Sequence, residues 1–300
     1  MSKRFGSVVA VDELDLEIGQ GEVFGLLGPN GAGKTTVIQM LLGLTAPSSG
    51  LVRVLGVDPA ADPLLVRANA GVVMQRATLD PFLTGWENIQ LYAELYPLLP
   101  SERKDRIDSA LSWAGLTESA DRLVRTYSGG MKRRLDLAIG TLHQPQLLLL
   151  DEPTLGLDIQ TRRQLWDLIR DLKSAGTTVL LTTHYLEEAN RLCDRIAILH
   201  RGRLAALGSP EELRARHVSS SHQLVVTLER QIELTGRALP VAPTREGERL
   251  VFSGPPEVLW KTFSLLQSEF EEDIVAVSYE QPSLDDVFVF LTEEAEDVSA

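Results

Sequence analysis

Through the first two hundred positions, short runs of consecutive apolar residues alternate with longer stretches that mix apolar and polar residues at helical spacing. This alternation predicts an α/β domain on a mostly parallel sheet, because strands covered on both faces carry few polar positions. The runs at 23–27, 70–74, 147–150 and 178–181 are the expected strands. The first ends in a Gly-rich loop, and residues 37–44 continue from it as a helix. Between the second and third strands the pattern turns helical. Thr84, with Glu87 three residues on, forms a capping box, and Pro97 limits the helix it starts. A second helix begins near Ser101, gathers Ile107, Ala110, Leu111 and Ala114 on one face, and stops at Gly115. A third follows Ser128 and gathers Met131, Leu135, Ala138 and Leu142. These helices predict a helical subdomain, about residues 76–145, inserted into the α/β core.

Gly208-Ser209-Pro210 punctuates the end of this pattern. A short helix and a polar, Ser-rich linker at 217–222 follow. Beyond it, 224–228, 249–252 and 274–279 read as strands, and 257–270 and 284–291 as helices. The expected organisation is therefore a domain over 1–217 and a small α+β domain over 218–300. No internal repeat or low-complexity tract is evident.

Composition narrows the class. With 300 residues and 44% of them apolar, the chain can bury a sizeable core, which excludes wholesale disorder. Its single cysteine, Cys193, cannot form an internal disulfide, so a reducing compartment is expected. The first five residues lack the apolar segment of a secretory leader. No stretch approaches the ~18 apolar residues of a membrane helix. The net charge of −13 is unevenly spread: after residue 261 there are eleven acidic residues and no Lys or Arg. An acidic end repels phosphate backbones, so nucleic acid is not the expected partner. Its plainest use is a solvated, solubilising surface.

The chemistry-bearing residues cluster where the expected strands end. Gly28-Pro29-Asn30-Gly31-Ala32-Gly33-Lys34-Thr35 matches the phosphate-loop pattern at every specified position, after a strand and before a helix. Glycines there let backbone N–H groups face phosphate oxygens, and the helix adds its positive end. Lys34 reaches the β and γ phosphates, and the Thr35 hydroxyl holds Mg²⁺. Asp151 and Glu152 follow a run of four leucines, at the carboxyl end of a strand where ligands collect in open α/β sheets. One carboxylate can hold Mg²⁺ and the next can polarise a water. Gln75 and His184 end two other strands at the same sheet edge. Alone, a histidine there is an ordinary structural residue. Ser128-Gly129-Gly130 at a helix start serves equally as an anion site or a plain N-cap. The basic run Lys132-Arg133-Arg134 reads as the solvated face of that helix.

Taken in order, the phosphate loop, Gln75, Ser128-Gly129-Gly130, Asp151-Glu152, Gly156-Leu157-Asp158 and His184 resemble the ATPase subunit of an ATP-binding cassette (ABC) transporter. The resemblance covers about residues 3–208. Thr84-Gly85-Trp86-Glu87-Asn88-Ile89, Met131, Leu135-Asp136-Leu137-Ala138 and Pro282-Ser283-Leu284-Asp285-Asp286-Val287-Phe288 are similar to the daunorubicin-resistance-type exporter branch. The implied fold is an α/β P-loop NTPase (ABC ATPase) core with an inserted helical subdomain.

By the same resemblance, two copies pair head to tail around two ATP molecules. Each ATP lies between the Lys34 loop of one copy, Gly28 to Thr36, and Ser128-Gly129-Gly130 of the other. Glu152 is then the general base, and His184 holds the γ-phosphate and water. Thr35, Gln75 and Asp151 are the Mg²⁺ side. Asp158 lies at the interface, and Phe5 stacks on adenine. The implied partner is a separate membrane permease docked at 76–94, on the cytoplasmic face of the cell membrane. A soluble ABC ATPase of ribosomes or DNA repair, and an importer ATPase, stand as alternatives. In such proteins a strand usually precedes the stretch matching Ser2 to Gly6, where this sequence has only Met1. Either an edge strand is missing, which would leave the Phe5 segment weakly anchored, or the true start lies upstream. Residues 218–300 are either a regulatory or dimer-stabilising domain or a passive appendage.

Overall fold

The computed structural model describes residues 1–76, 78–217, 222–229, 239–280 and 283–297. The chain divides into two compact units after Pro210; the sequence-based boundary is 217/218. The expected linker lies for the most part outside the described residues, as does Pro282.

The first unit opens with a hairpin, β1 (Lys3–Phe5) and β2 (Val8–Val11). It continues as β3 (Val23–Leu27), α1 (Lys34–Leu41), α2 (Pro63–Asn69) and β4 (Ala70–Val73). The helices α3 (Gly85–Leu95), α4 (Pro100–Trp113) and α5 (Gly129–Thr141) come next. The core resumes with β5 (Leu147–Asp151), α6 (Ile159–Ser174), β6 (Thr178–Thr183), α7 (Leu186–Leu192), β7 (Arg195–His200) and β8 (Arg203–Gly208).

Six strands form one sheet in the order β4-β5-β6-β3-β7-β8. The first five run parallel and β8 closes the edge antiparallel. Every residue of β3, β5 and β6 is buried, which explains why they read as unbroken apolar runs. Register aligns their carboxyl ends: Leu27 faces Thr183, Asp151 faces Thr182, and Val73 faces Leu150. Three helices, α3, α4 and α5, build a separate apolar cluster around Ile89, Ile107, Leu111 and Leu135. The expected capping box heads α3: Thr84 Oγ1 accepts from the Glu87 amide at 3.1 Å, and Glu87 Oε2 accepts from the Thr84 amide at 2.7 Å.

The amino-terminal segment is held from both sides, against the expectation of a weakly anchored Phe5. Met1 exchanges two backbone bonds with Leu14, at 2.7 and 2.9 Å. Ser2 exchanges two more with Ser48 and Ser49, both at 2.8 Å.

In the second unit, α8 (Pro210–His217) leads to β9 (Gln223–Leu228), β10 (Thr244–Glu246) and β11 (Arg249–Ser253). Then follow α9 (Pro256–Phe270), β12 (Ile274–Glu280) and α10 (Leu284–Asp297). Its antiparallel sheet runs β10-β11-β9-β12. Leu224, Val226 and Phe252 form a core with Leu259 and Leu266 of α9. No helix among the described residues is long and apolar enough to cross a membrane.

Candidate nucleotide site

The aligned ends of β3, β5 and β6 bring five of the expected residues into one network. β3 delivers the loop. At Gly28 a Cβ would meet the Leu199 carbonyl oxygen at 2.5 Å, and at Gly33, with φ of +103°, the Ala10 carbonyl oxygen at 2.4 Å. Both positions therefore exclude any side chain, and Gly33 sits at the N-cap of α1. With no side-chain cap and no acidic residue in its first turn, α1 presents an uncompensated positive end.

Lys34 opens that helix and is buried. Its Nζ donates to the carbonyls of Gly28 at 2.7 Å and Pro29 at 3.2 Å, and lies 3.3 Å from Glu152 Oε1. Glu152 Oε2 is 2.6 Å from His184 Nδ1, so one carboxylate joins the loop lysine to the histidine. This histidine is thus part of the site, beyond the ordinary structural part a strand-end histidine plays. Thr35 Oγ1 donates to Asp151 Oδ2 at 3.2 Å.

Thr182, which the sequence reading passed over, ties the carboxylate pair together. Its hydroxyl donates to Asp151 Oδ1 at 2.6 Å and accepts from the Glu152 amide at 3.1 Å. The available signal was a threonine pair, Thr182-Thr183, closing an apolar strand. Glu152 itself has φ of +50°, a conformation that non-glycine residues seldom adopt outside sites that over-determine it. The fully buried Glu188 accepts from Trp166 Nε1 at 3.0 Å, and burial raises its pKa.

Gln75 follows β4 at the same sheet edge and is exposed. Among the described residues, no hydrogen bond joins Ser128, Gly129, Gly130 or Asp158 to 28–36. Ser128 caps α5, accepting from the Met131 amide at 3.2 Å. Asp158 caps α6, accepting from the Thr161 hydroxyl at 2.7 Å and amide at 2.9 Å. Those two bonds hold its carboxyl below the usual range. The two helix starts touch, because a Cβ on Gly130 would come within 2.2 Å of Thr161 Cγ2. Phe5 is half exposed, with Lys3 Nζ 4.9 Å from its ring centroid.

One expectation fails. Lys132-Arg133-Arg134 is not a solvated face: Arg133 is buried, and Arg134 Nη1 donates to the Ala114 carbonyl at 2.7 Å. Both guanidinium groups find backbone carbonyls, which lets them leave water.

A parallel sheet whose strand ends carry a phosphate loop, an Asp-Glu pair and a histidine defines a P-loop nucleoside triphosphatase. Comparison with known proteins narrows the class. A family profile described as ABC transporter matches residues 11–155. The chain is 39% identical, over 97% of its length and 93% of the relative's, to daunorubicin resistance ATP-binding protein DrrA3 of Streptomyces coeruleorubidus. It is 46% identical, over 70% of both chains, to Nod factor export ATP-binding protein I of Cupriavidus metallidurans. A solved ATP-binding cassette, dimeric and in a post-hydrolysis state with ADP and Pi, superimposes with a TM-score of 0.62. That match is 28% identical and covers 69% of this chain and 94% of that one. The chain belongs to the ATP-binding proteins of ABC transporters and is an ATPase.

Proposed function

We propose that this ATPase powers a separate membrane permease in export, acting as a head-to-tail dimer that encloses two ATP molecules on the cytoplasmic face of the membrane. The observation that carries the proposal is the division of the site: Lys34 and His184 both touch Glu152, while Ser128–Gly130 and Asp158 make no hydrogen bond to these three among the described residues. A second copy, related by a two-fold axis, supplies the missing half to each loop. Similarity to proteins named for drug resistance and Nod factor export supports the direction of transport.

In each site the Gly28–Gly33 amides and Lys34 bind the β and γ phosphates, and Phe5 stacks on the base. Glu152 accepts the proton of the attacking water, and His184 holds that carboxylate and the γ-phosphate. The oxygen donors fit Mg²⁺, which needs only one or two carboxylates where phosphates complete its shell. Thr35 and Asp151 would hold it, with Gln75 beside them. Bound there, the ion offsets charge on the β and γ phosphates.

The test uses Glu152→Gln. We expect hydrolysis to fall by about 10²-fold or more, as general-base loss predicts, while ATP still closes the dimer. Pulled from detergent-solubilised membranes with ATP, the tagged variant should bring down a multi-helix membrane protein in near-equal amount. Wild-type turnover would overturn the general-base role of Glu152. Recovery of ribosomes, or of no membrane protein in mild detergent, would overturn the transport reading.

A further inference from the structure

Arg133 is a cation that the site as described so far leaves unused, yet it reaches three backbone carbonyls on two segments of that site. It rides on α5, five positions after the Ser128 cap, and is buried. Its Nε donates to the Pro153 carbonyl at 2.6 Å and its Nη2 to the Asp151 carbonyl at 3.1 Å. Nη1 donates to the Met74 carbonyl at 2.5 Å and to Asp136 Oδ2 at 3.2 Å. Asp151 and Pro153 flank Glu152, and Met74 precedes Gln75.

A planar guanidinium holds its donors in a fixed fork, so three carbonyls bound at once are fixed relative to one another. The two bonds around Glu152 straddle the residue with φ of +50°. Such a backbone persists only where its surroundings hold it, and Arg133 supplies a grip on either side. Thr182 adds a third at the Glu152 amide. The Asp136 carboxylate, four residues closer to the end of α5 than Lys132, completes the shell around the buried guanidinium.

We propose that Arg133 is a positioning residue for hydrolysis: from α5 it sets the backbone of Glu152 and of the Gln75 segment, and so the placement of the general base. This rests on Glu152 being that base. It also makes hydrolysis sensitive to the placement of the helix that Ser128-Gly129-Gly130 begins. A phosphate contact at the head of α5 would thereby bear on Glu152 of the same chain.

The test is steady-state ATPase kinetics on full-length Arg133→Lys, alongside Glu152→Gln. Lysine keeps the positive charge beside Asp136 but cannot span three carbonyls. We expect kcat to fall by about 10²-fold, the scale of an ångström-sized misplacement, with KM for ATP within about threefold of wild type. The Arg133→Gln/Asp136→Asn pair removes both charges together. It reads the same two constants should Arg133→Lys fail to fold. A folded variant with wild-type kcat overturns the proposal, as does a rise in KM as large as the fall in kcat. Glu152→Gln separates the two ideas. If it turns over normally, the assignment of the base has failed. If it is inactive while the Arg133 variants turn over normally, only the positioning role has failed.

Discussion

Thr182 touches both acidic residues of the site through one hydroxyl, donating to the Asp151 carboxylate and accepting from the Glu152 amide. Valine is nearly the same shape and can do neither. Thr182→Val should leave the fully buried strand β6 intact. It strips a bond from each of two site residues, and we expect kcat to fall by about tenfold, near 1.4 kcal/mol. Unchanged turnover, measured with ATP binding, would reduce Thr182 to a packing residue. The contrast with Lys34 shows what is legible at this scale. Lys34 sits in a pattern fixed by the phosphate it must bind, so spacing alone marks it. Thr182 and Arg133 act on groups brought together from distant segments, 31 and 59 positions away in their longest bonds. No local spacing encodes those contacts. Arg133 was misplaced on the solvated face because charge is a poor guide to exposure when carbonyl acceptors line a buried slot.

Among the elements, the legible ones were those whose environment is uniform along their length. β3 and β5 lie under cover on both faces, so their apolar runs mark them within a residue or so. The chemistry at Thr84 and Glu87 gave the start of α3. The hairpin β1-β2 and the edge strand β8 are short or half exposed, and their pairing is set by distant neighbours. The amphipathic helix α6 also went unread, although Asp158 supplies its cap. α10 runs on to Asp297 through acidic residues where the apolar pattern had suggested 291. The cap on α3 can be tested at its own scale. Thr84→Ala removes the acceptor for the Glu87 amide and should weaken the first turn by about 1 kcal/mol. Amide exchange over 85–88 should quicken by about fivefold, with α5 unaffected. Uniform quickening across the helical subdomain would mean that the cap stabilises the whole cluster rather than one helix end.

At the scale of the whole molecule the question is what the second unit contributes. It has its own core, and among the described residues its edge strand β12 pairs on one side only, with β9. Val275 and Val277 on that strand, and Trp260 on α9, are exposed. An apolar edge strand is a template for another chain, so a passive appendage is the less natural use of this surface. A cut after residue 217 leaves the helix α8 whole. We expect the 1–217 protein to bind ATP with wild-type affinity, because every residue of the Lys34, Thr35, Asp151, Glu152 and His184 network precedes the cut. Its association should weaken, read as a lower fraction of ATP-closed dimer in the Glu152→Gln background and less permease recovered from membranes. Introducing lysine at Val275 and Val277 in the full chain should reproduce the loss, since lysine on an edge strand opposes strand pairing. Equal dimer and permease recovery from all three proteins would leave the second unit without a role in assembly. A loss on truncation that the lysines do not reproduce would move the contact away from β12.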